Sequence, residues 1–239
     1  MVECCQLLSG GFTNRNLLLR FAEPHSPLVL RVYQRGADAG RKEIDLLRYL
    51  AGKVPVPEIV AADDAGAWVV YRYIEGITFQ ELKHRGNNEH VAEASYAIGQ
   101  ALAKIHAIPP PSDLNLRPSP GHPRLRDALS LVHGDFNNRN TIVSEEAGHW
   151  TVAAILDWES AFIGSPLWDA ARFTCYENPE RPLREPHFSE GYRKAGGALP
   201  QDWPAFSRQL SAISAAESLA RPDLPPQFIP ELCELAGFR

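Results

Sequence analysis

The chain has 239 residues, of which 44% are apolar and 22% charged. That length is enough to bury a substantial core, as one large domain or two packed lobes, and that composition excludes a disordered or fibrous protein. A formal net charge of −5 argues against a broadly basic, nucleic-acid-binding surface.

No stretch approaches the roughly 20 uninterrupted apolar residues of a membrane helix. The opening run Met1-Val-Glu-Cys-Cys-Gln-Leu-Leu has no basic segment and leads into Ser9-Gly10-Gly11, so no secretory leader is expected there. Cys4, Cys5, Cys175 and Cys233 form no CxxC pair and no disulfide framework. Reduced thiols in a cytoplasmic protein are expected.

Residues 17–21 and 28–33 are short apolar runs on either side of the turn-rich Glu23-Pro24-His25-Ser26-Pro27, which predicts a β-hairpin. Ile44, Leu47 and Leu50 recur at helical spacing within 41–51, with Gly52 as a stop signal. The prolines of Val54-Pro55-Val56-Pro57 hold that segment extended. Residues 68–74 read as a strand closed by Glu75-Gly76. From about residue 78 the pattern turns helical, with Ala94, Ile98, Leu102 and Ile105 along one face of 91–108. Pro109, Pro110, Pro111, Pro118, Pro120 and Pro123 mark an irregular connector. Short strands are predicted at 131–132, 141–143 and 152–156, and tail helices at about 167–174, 204–220 and 227–236. A β-rich first part joined to a helical second part is an α+β reading.

Three clusters carry chemistry. In His133-Gly134-Asp135-Phe136-Asn137-Asn138-Arg139-Asn140, a carboxylate and an amide five residues apart lie between two strands and can point at one spot. Asp135 suits a hydroxyl proton and Asn140 a hard cation, although the same residues also fit a polar turn. In Ala154-Ile155-Leu156-Asp157-Trp158-Glu159, Asp157 sits at a strand end, where it suits either a cation with Asn140 or a simple cap. The third cluster is the glycine turn Ser9-Gly10-Gly11-Phe12-Thr13-Asn14, whose backbone N–H groups suit phosphate, with Arg31 and Glu43 as an ion pair behind it.

In this order the segments resemble the aminoglycoside phosphotransferase and choline kinase-like family. The resemblance runs from about Leu7 to Arg172 and takes in the glycine turn, Leu30-Arg31-Val32, Glu43 before Leu46-Leu47, and Val54-Pro55-Val56-Pro57. It continues through Ile74-Glu75-Gly76, Leu102-Ala103-Lys104-Ile105-His106, His133 to Asn140, Ile155 to Glu159, and Gly164-Ser165-Pro166-Leu167-Trp168-Asp169. The resemblance implies a two-lobed, protein-kinase-like fold. Its small β-rich nucleotide-binding lobe would span 1–75, and its larger, mainly helical catalytic and acceptor-binding lobe 76–239.

The activity implied is ATP- and Mg2+-dependent transfer of the γ-phosphate to a hydroxyl of a small molecule, with no nucleic-acid or membrane partner. By position, Asp135 matches the catalytic aspartate, and Asn140 and Asp157 match the metal ligands. Gly10 and Gly11 match the phosphate turn, Arg31 stands where the phosphate-binding lysine is found, and Glu43 is its helix partner. The backbone of Arg72 and Ile74 matches the adenine hinge, while His133 and Asp169 are expected to hold the catalytic loop.

Two departures bear on the acceptor and on activity. Arginine at 31 is a planar fork where kinases use a compact lysine, which admits a second reading as a nucleotide-binding, pseudokinase-like relative. Only 26 proline-rich residues separate His106 from His133, where relatives that phosphorylate antibiotics carry additional helices. Glu177, Glu180, Glu185 and Glu190 are compatible with a cationic acceptor or with a solvated acidic face. A third reading makes His133, Asp135 and Asp157 a hydrolytic metal centre, without the further His or Cys such centres use.

Overall fold

The apolar runs of the first third pair edge to edge into one antiparallel sheet. The computed structural model describes residues 2–8, 14–112, 114, 116, 125, 129–175, 177, 182–220, 224, 226 and 229–237. Strands β2 (Arg15–Phe21) and β3 (Leu28–Val32) form the expected hairpin, with Leu17 opposite Leu30 and Leu19 opposite Leu28. Three further strands, β1 (Val2–Leu7), β4 (Ile59–Ala62) and β5 (Trp68–Arg72), complete the order β1-β2-β3-β5-β4.

Helix α1 (Ala37–Leu50) serves two cores because its apolar residues point in two directions. Ile44 packs with Leu18, Val29, Val69 and Tyr71 beneath the sheet, while Leu46, Leu47 and Leu50 join the larger helical core. Helix α1 thereby packs the sheet against the rest of the chain.

After β6 (Ile77–Thr78) the chain turns helical, as its pattern predicts. Thr78 caps α2 (Phe79–Arg85) in a capping box, accepting the Glu81 N–H at 3.1 Å while its own N–H donates to the Glu81 carboxylate at 3.0 Å. Helix α3 (Asn88–His106) buries Ala94, Ile98, Leu102 and Ile105, the face read from their spacing. Two short pairings follow. Strand β7 (Ser130–Val132) pairs with β10 (Phe162–Gly164), and β8 (Thr141–Glu146) lies between β6 and β9 (His149–Ile155).

The tail holds α4 (Leu167–Thr174), α5 (His187–Lys194), α6 (Trp203–Leu219) and α7 (Ile229–Ala236). Helix α5 is not foreseen, because Ser189, Glu190 and Gly191 interrupt its apolar pattern. Its glycine is a contact point: a Cβ at Gly191 would collide with the Tyr96 carbonyl of α3, and one at Gly99 of α3 with the Phe188 carbonyl of α5. The two helices approach at backbone distance, and this packing supports the end of α3 that carries His106. Among the described residues, no helix is long and apolar enough to cross a membrane.

Candidate active site

The loop from His133 to Asn140 is framed by β7 and β8, and hydrogen bonds fix it at both ends. The buried His133 ring donates its Nε2–H to the Leu156 carbonyl at 2.8 Å and accepts the Asp135 N–H on Nδ1 at 3.2 Å. The carbonyl can only accept, so the partners themselves set the tautomer. Both ring nitrogens are therefore occupied, and His133 does not ligate a hydrolytic metal. From α4, Asp169 accepts the backbone N–H of His133 at 2.7 Å and of Gly134 at 2.9 Å. His106 Nε2 stands 3.2 Å from the same carboxylate and His106 Nδ1 2.8 Å from the Tyr192 hydroxyl. Burial, with Asp169 nearby, raises the Tyr192 hydroxyl above its ordinary range. His133 and Asp169 thus hold the loop in place.

The Asp135 carboxylate is held on both oxygens and its side chain is 34% exposed. Asn140 Nδ2 donates to Oδ2 at 3.1 Å and to the Asp135 carbonyl at 3.0 Å. Arg172 approaches Oδ1 with Nη2 at 3.2 Å and Nε at 3.4 Å. Asn137 closes the turn by accepting the N–H groups of Arg139 and Asn140 at 2.9 and 3.2 Å. The Leu156 N–H donates to the Asn140 carbonyl at 2.8 Å, and Thr141 lies opposite Ile155 in the β8–β9 register. These contacts set Asn140 beside the residue preceding Asp157.

Asp157 adopts the left-handed conformation, φ 69° and ψ 62°, which Asp tolerates better than most side chains but at a cost. Its Oδ1 lies 2.5 Å from Arg31 Nη2, and the same guanidinium places Nε 3.3 Å from Glu43 Oε2 and Nη2 3.8 Å from Glu159 Oε2. Glu159 also accepts from Asn14 Nδ2 at 2.8 Å and meets Arg35 at 3.1 Å. Glu43 Oε1 accepts the Trp158 N–H at 3.3 Å, which ties α1 to the turn after β9. Burial pulls the Arg31 guanidinium down, but Glu43 and Asp157 more than offset it and leave the group above its ordinary range. Burial pushes the Glu43 carboxyl up to about 7 against the opposing pull of Arg31.

One ligand atom from each of Glu43, Asp157 and Glu159 lies within 4.8 Å of the others. Glu43 Oε2 is buried and accepts no well-aligned hydrogen bond, although Arg31 Nε is near. Asn140 commits its amide nitrogen to Asp135, and its oxygen is the atom a hard cation takes. Carboxylate and amide oxygens in this number suit Mg2+.

The loop that bears Asp135 and Asn140 is thus bonded to the residue before Asp157, and Arg31 and Glu43 gather at Asp157 from β3 and α1. At the expected hinge, Arg72 ends β5 opposite Leu28, and its N–H is donated to the Glu58 carbonyl at 3.0 Å. Its side chain makes an exposed pair with Glu58, while Ile74 lies two residues beyond the strand. Gly10 and Gly11 lie outside the described residues. Sequence reasoning missed Arg172 and the roles of Glu159 and Asn14. The available signal for Arg172 was its spacing: it lies one helical turn beyond Asp169 on α4, and so on the same side.

An antiparallel sheet packed by a helix against a mainly helical part, with loop carboxylates between them, is a kinase-like phosphotransferase fold. The chain belongs to the phosphotransferase enzyme family, whose model matches residues 5–129 and 115–207. Among solved structures, a variant of aminoglycoside 2'-phosphotransferase-IIIa in complex with GDP superposes with a TM-score of 0.77 at 17% identity, covering 99% of this chain and 92% of that one. The macrolide 2'-phosphotransferase MphH from Brachybacterium faecium, an apoenzyme, gives 0.66 at 19% identity, over 90% of this chain and 84% of that one. Acyl-CoA dehydrogenase family member 10 of Mus musculus is 26% identical over 212 residues, 69% of this chain. The chain spans 19% of that protein's length.

Proposed function

We propose that this chain is an ATP-dependent kinase of a small-molecule hydroxyl, with 1–75 as the nucleotide-binding lobe and 76–239 as the catalytic and acceptor-binding lobe. The observation that carries the reading is the Leu156–Asn140 backbone bond, which ties the loop where Asn140 holds Asp135 to the strand end that bears Asp157. The GDP complex among the similar structures supports a nucleotide donor.

Asp135 is the catalytic base. Asn140 and Arg172 fix its two oxygens, so the carboxylate meets the acceptor hydroxyl in one orientation. The acceptor oxygen forms a new bond to the γ-phosphorus, the bridging β–γ P–O bond breaks, and its electron pair leaves on ADP. The acceptor proton passes to Asp135 and then to solvent. Arg31 brings a cation from the sheet toward the phosphates, braced by Glu43. Asn140 and Asp157 would hold Mg2+, which when bound offsets charge on the β- and γ-phosphates. The remaining work is alignment.

A second reading, a nucleotide-binding relative without turnover, is favoured by the 2.5 Å contact in which Arg31 occupies an oxygen of the metal ligand Asp157. One experiment separates the two. The protein is mixed with Mg-ATP and a panel of amino alcohols, sugars and aminoglycosides, and ADP release and product mass are followed. Acceptor-dependent transfer that EDTA abolishes, and that Asp135→Asn lowers by about 10²–10⁴-fold, is the expected result. Transfer unchanged in Asp135→Asn overturns the assigned role. Thermal stabilisation by ATP with no transfer to any acceptor establishes the second reading.

A further inference from the structure

Three side chains from the sheet and its flanks close on a single carboxylate, that of Glu159. Its Oε2 accepts from Asn14 Nδ2 at 2.8 Å, its Oε1 meets Arg35 Nη1 at 3.1 Å, and Arg31 Nη2 stands 3.8 Å from Oε2. We infer that Glu159 is a positioning residue of the site: it takes the Arg31 guanidinium when a divalent cation claims Asp157, and so keeps the arginine in place. The inference rests on the kinase reading above and names how this chain accommodates an arginine and a cation at one carboxylate.

The surroundings of Glu159 are fixed. Trp158 is fully buried, and it donates its indole N–H to the Ile155 carbonyl at 3.0 Å and its backbone N–H to Glu43 at 3.3 Å. Glu159 follows it on the single helical turn Trp158–Ser160. Asn14 is buried as well, and its Oδ1 accepts the Gln34 N–H at 3.1 Å. Glu159 therefore joins the residue before β2 and the residues after β3 to the turn that carries Asp157.

Solvent access decides which carboxylate a cation reaches. The Asp157 side chain is 30% exposed, against 3% for Glu43 and 7% for Glu159. A cation at Asp157 competes with Arg31, whose Nη2 lies 2.5 Å from Oδ1. A buried guanidinium that loses its counter-charge is costly, so the exchange needs a second carboxylate within reach. Glu43 already stands at the other edge of the fork, with Oε2 3.3 Å from Nε and Oε1 accepting the Trp158 N–H. Glu159 Oε2 lies only about 1 Å beyond hydrogen-bond length from Nη2. A carboxylate oxygen has two lone pairs, so Oε2 can accept Nη2 beside Asn14.

Packing makes the exchange a small turn of the fork. Arg31 Cζ lies 5.4 Å from the centre of the Tyr33 ring, and that ring lies against Gly40 of α1, where a Cβ would collide with it. The arginine is thereby confined. While the fork holds Asp157, Arg31 Nε and Glu43 Oε2 are both buried without a well-aligned hydrogen bond. A turn about this edge can align them, which offsets part of the loss of Asp157.

The test reads cation binding apart from turnover, by electron paramagnetic resonance of free Mn2+ in the presence of a non-hydrolysable ATP analogue. Glu159→Gln keeps the shape and an acceptor for Asn14 but removes the charge, so Arg31 stays on Asp157. Mn2+ binding should weaken by about 10- to 100-fold. In transfer assays the KM for Mg2+ should rise by the same factor, with kcat restored at saturating Mg2+. Lysine at 31 lacks the fork that spans two carboxylates. In an Arg31→Lys background, Glu159→Gln should therefore change Mn2+ binding by no more than about twofold.

An equal loss in both backgrounds would overturn the inference, since Glu159 would then act on the cation directly. A lower unfolding midpoint for Glu159→Gln with unchanged Mn2+ affinity would overturn it too, and either result leaves the kinase reading intact. The expected pattern of Mn2+ binding without transfer to any acceptor would uphold the inference and overturn the kinase reading alone. The wild type supplies a measurement that needs no variant. With 15N-labelled arginine, the Arg31 Nε–H resonance should stay in slow solvent exchange after Mg2+ and the analogue are added. Its loss to fast exchange would show the arginine released to solvent, and the inference would fail.

Discussion

Arg31 Nη2 stands 2.5 Å from Asp157 Oδ1, pairing groups 126 residues apart in the chain. The guanidinium belongs to the sheet, the carboxylate to the turn after β9, and Glu43 of α1 grips the same guanidinium from its other side. Three elements that share no local sequence signal therefore meet on one buried cation. In the reading proposed here, the arginine and a phosphate-bound cation share Asp157, and a bound nucleotide must loosen one of its contacts.

Removing that cation would strand two carboxylates. The Arg31 side chain is 6% exposed and that of Glu43 3%, so little solvent is at hand to compensate. Arg31→Met should destabilise the protein by about 3–5 kcal/mol, the usual cost of breaking a buried pair from one side. Arg31→Lys keeps the charge but loses the planar fork that spans Glu43 and Asp157, so its loss should be the smaller one. Denaturant unfolding of the two variants checks the order. Equal midpoints for wild type and Arg31→Met would show that the pair contributes nothing to the fold.

Asp169 offers a prediction in which geometry and activity move together. Its two oxygens accept the His133 and Gly134 N–H groups from a fully buried position. Asp169→Asn turns one acceptor into a donor facing a donor, at a cost of about 1–3 kcal/mol for the group left unsatisfied. The loop it holds carries Asp135, and a shift there of about 1 Å is enough to cost on the order of 10²-fold in rate. Steady-state kinetics should show kcat reduced and KM for ATP little changed. A variant less stable but fully active would separate Asp169 from the placement of the base.

The contrast between what could and could not be read in advance follows from the range of each signal. The hairpin of β2 and β3 was legible because its apolar runs and proline turn are contiguous, and Asp135 with Asn140 because both sit on one loop between apolar strands. Strand β1 was not, since Cys4, Cys5 and Gln6 are all exposed and show no alternation. The role of Arg172 depends on how α4 is set against the catalytic loop, and the Arg31–Asp157 pair on how the sheet meets the turn after β9. The second relation leaves no mark within ten residues of sequence, and the first leaves only the one-turn spacing of Arg172 from Asp169. Helix α5 was hidden for another reason: the glycine that weakens its pattern is the residue its packing requires.

That packing makes the last prediction. Alanine at either Gly99 or Gly191 improves helix propensity by up to about 1 kcal/mol, which alone would stabilise α3 or α5. Each new Cβ, however, meets a backbone carbonyl of the opposite helix, which cannot rotate away as a side chain would. Overpacking of this kind costs about 1–3 kcal/mol, so both variants should unfold at lower denaturant than the wild type. Separation of the helices should also reach the site. Tyr192 of α5 meets His106 at the end of α3, and His106 meets Asp169, so transfer should slow in proportion to the loss of stability. If Gly191→Ala unfolds at or above the wild-type midpoint, the two backbones do not approach as closely as the structure has them, and the chain of contacts from α5 to the catalytic loop is slack.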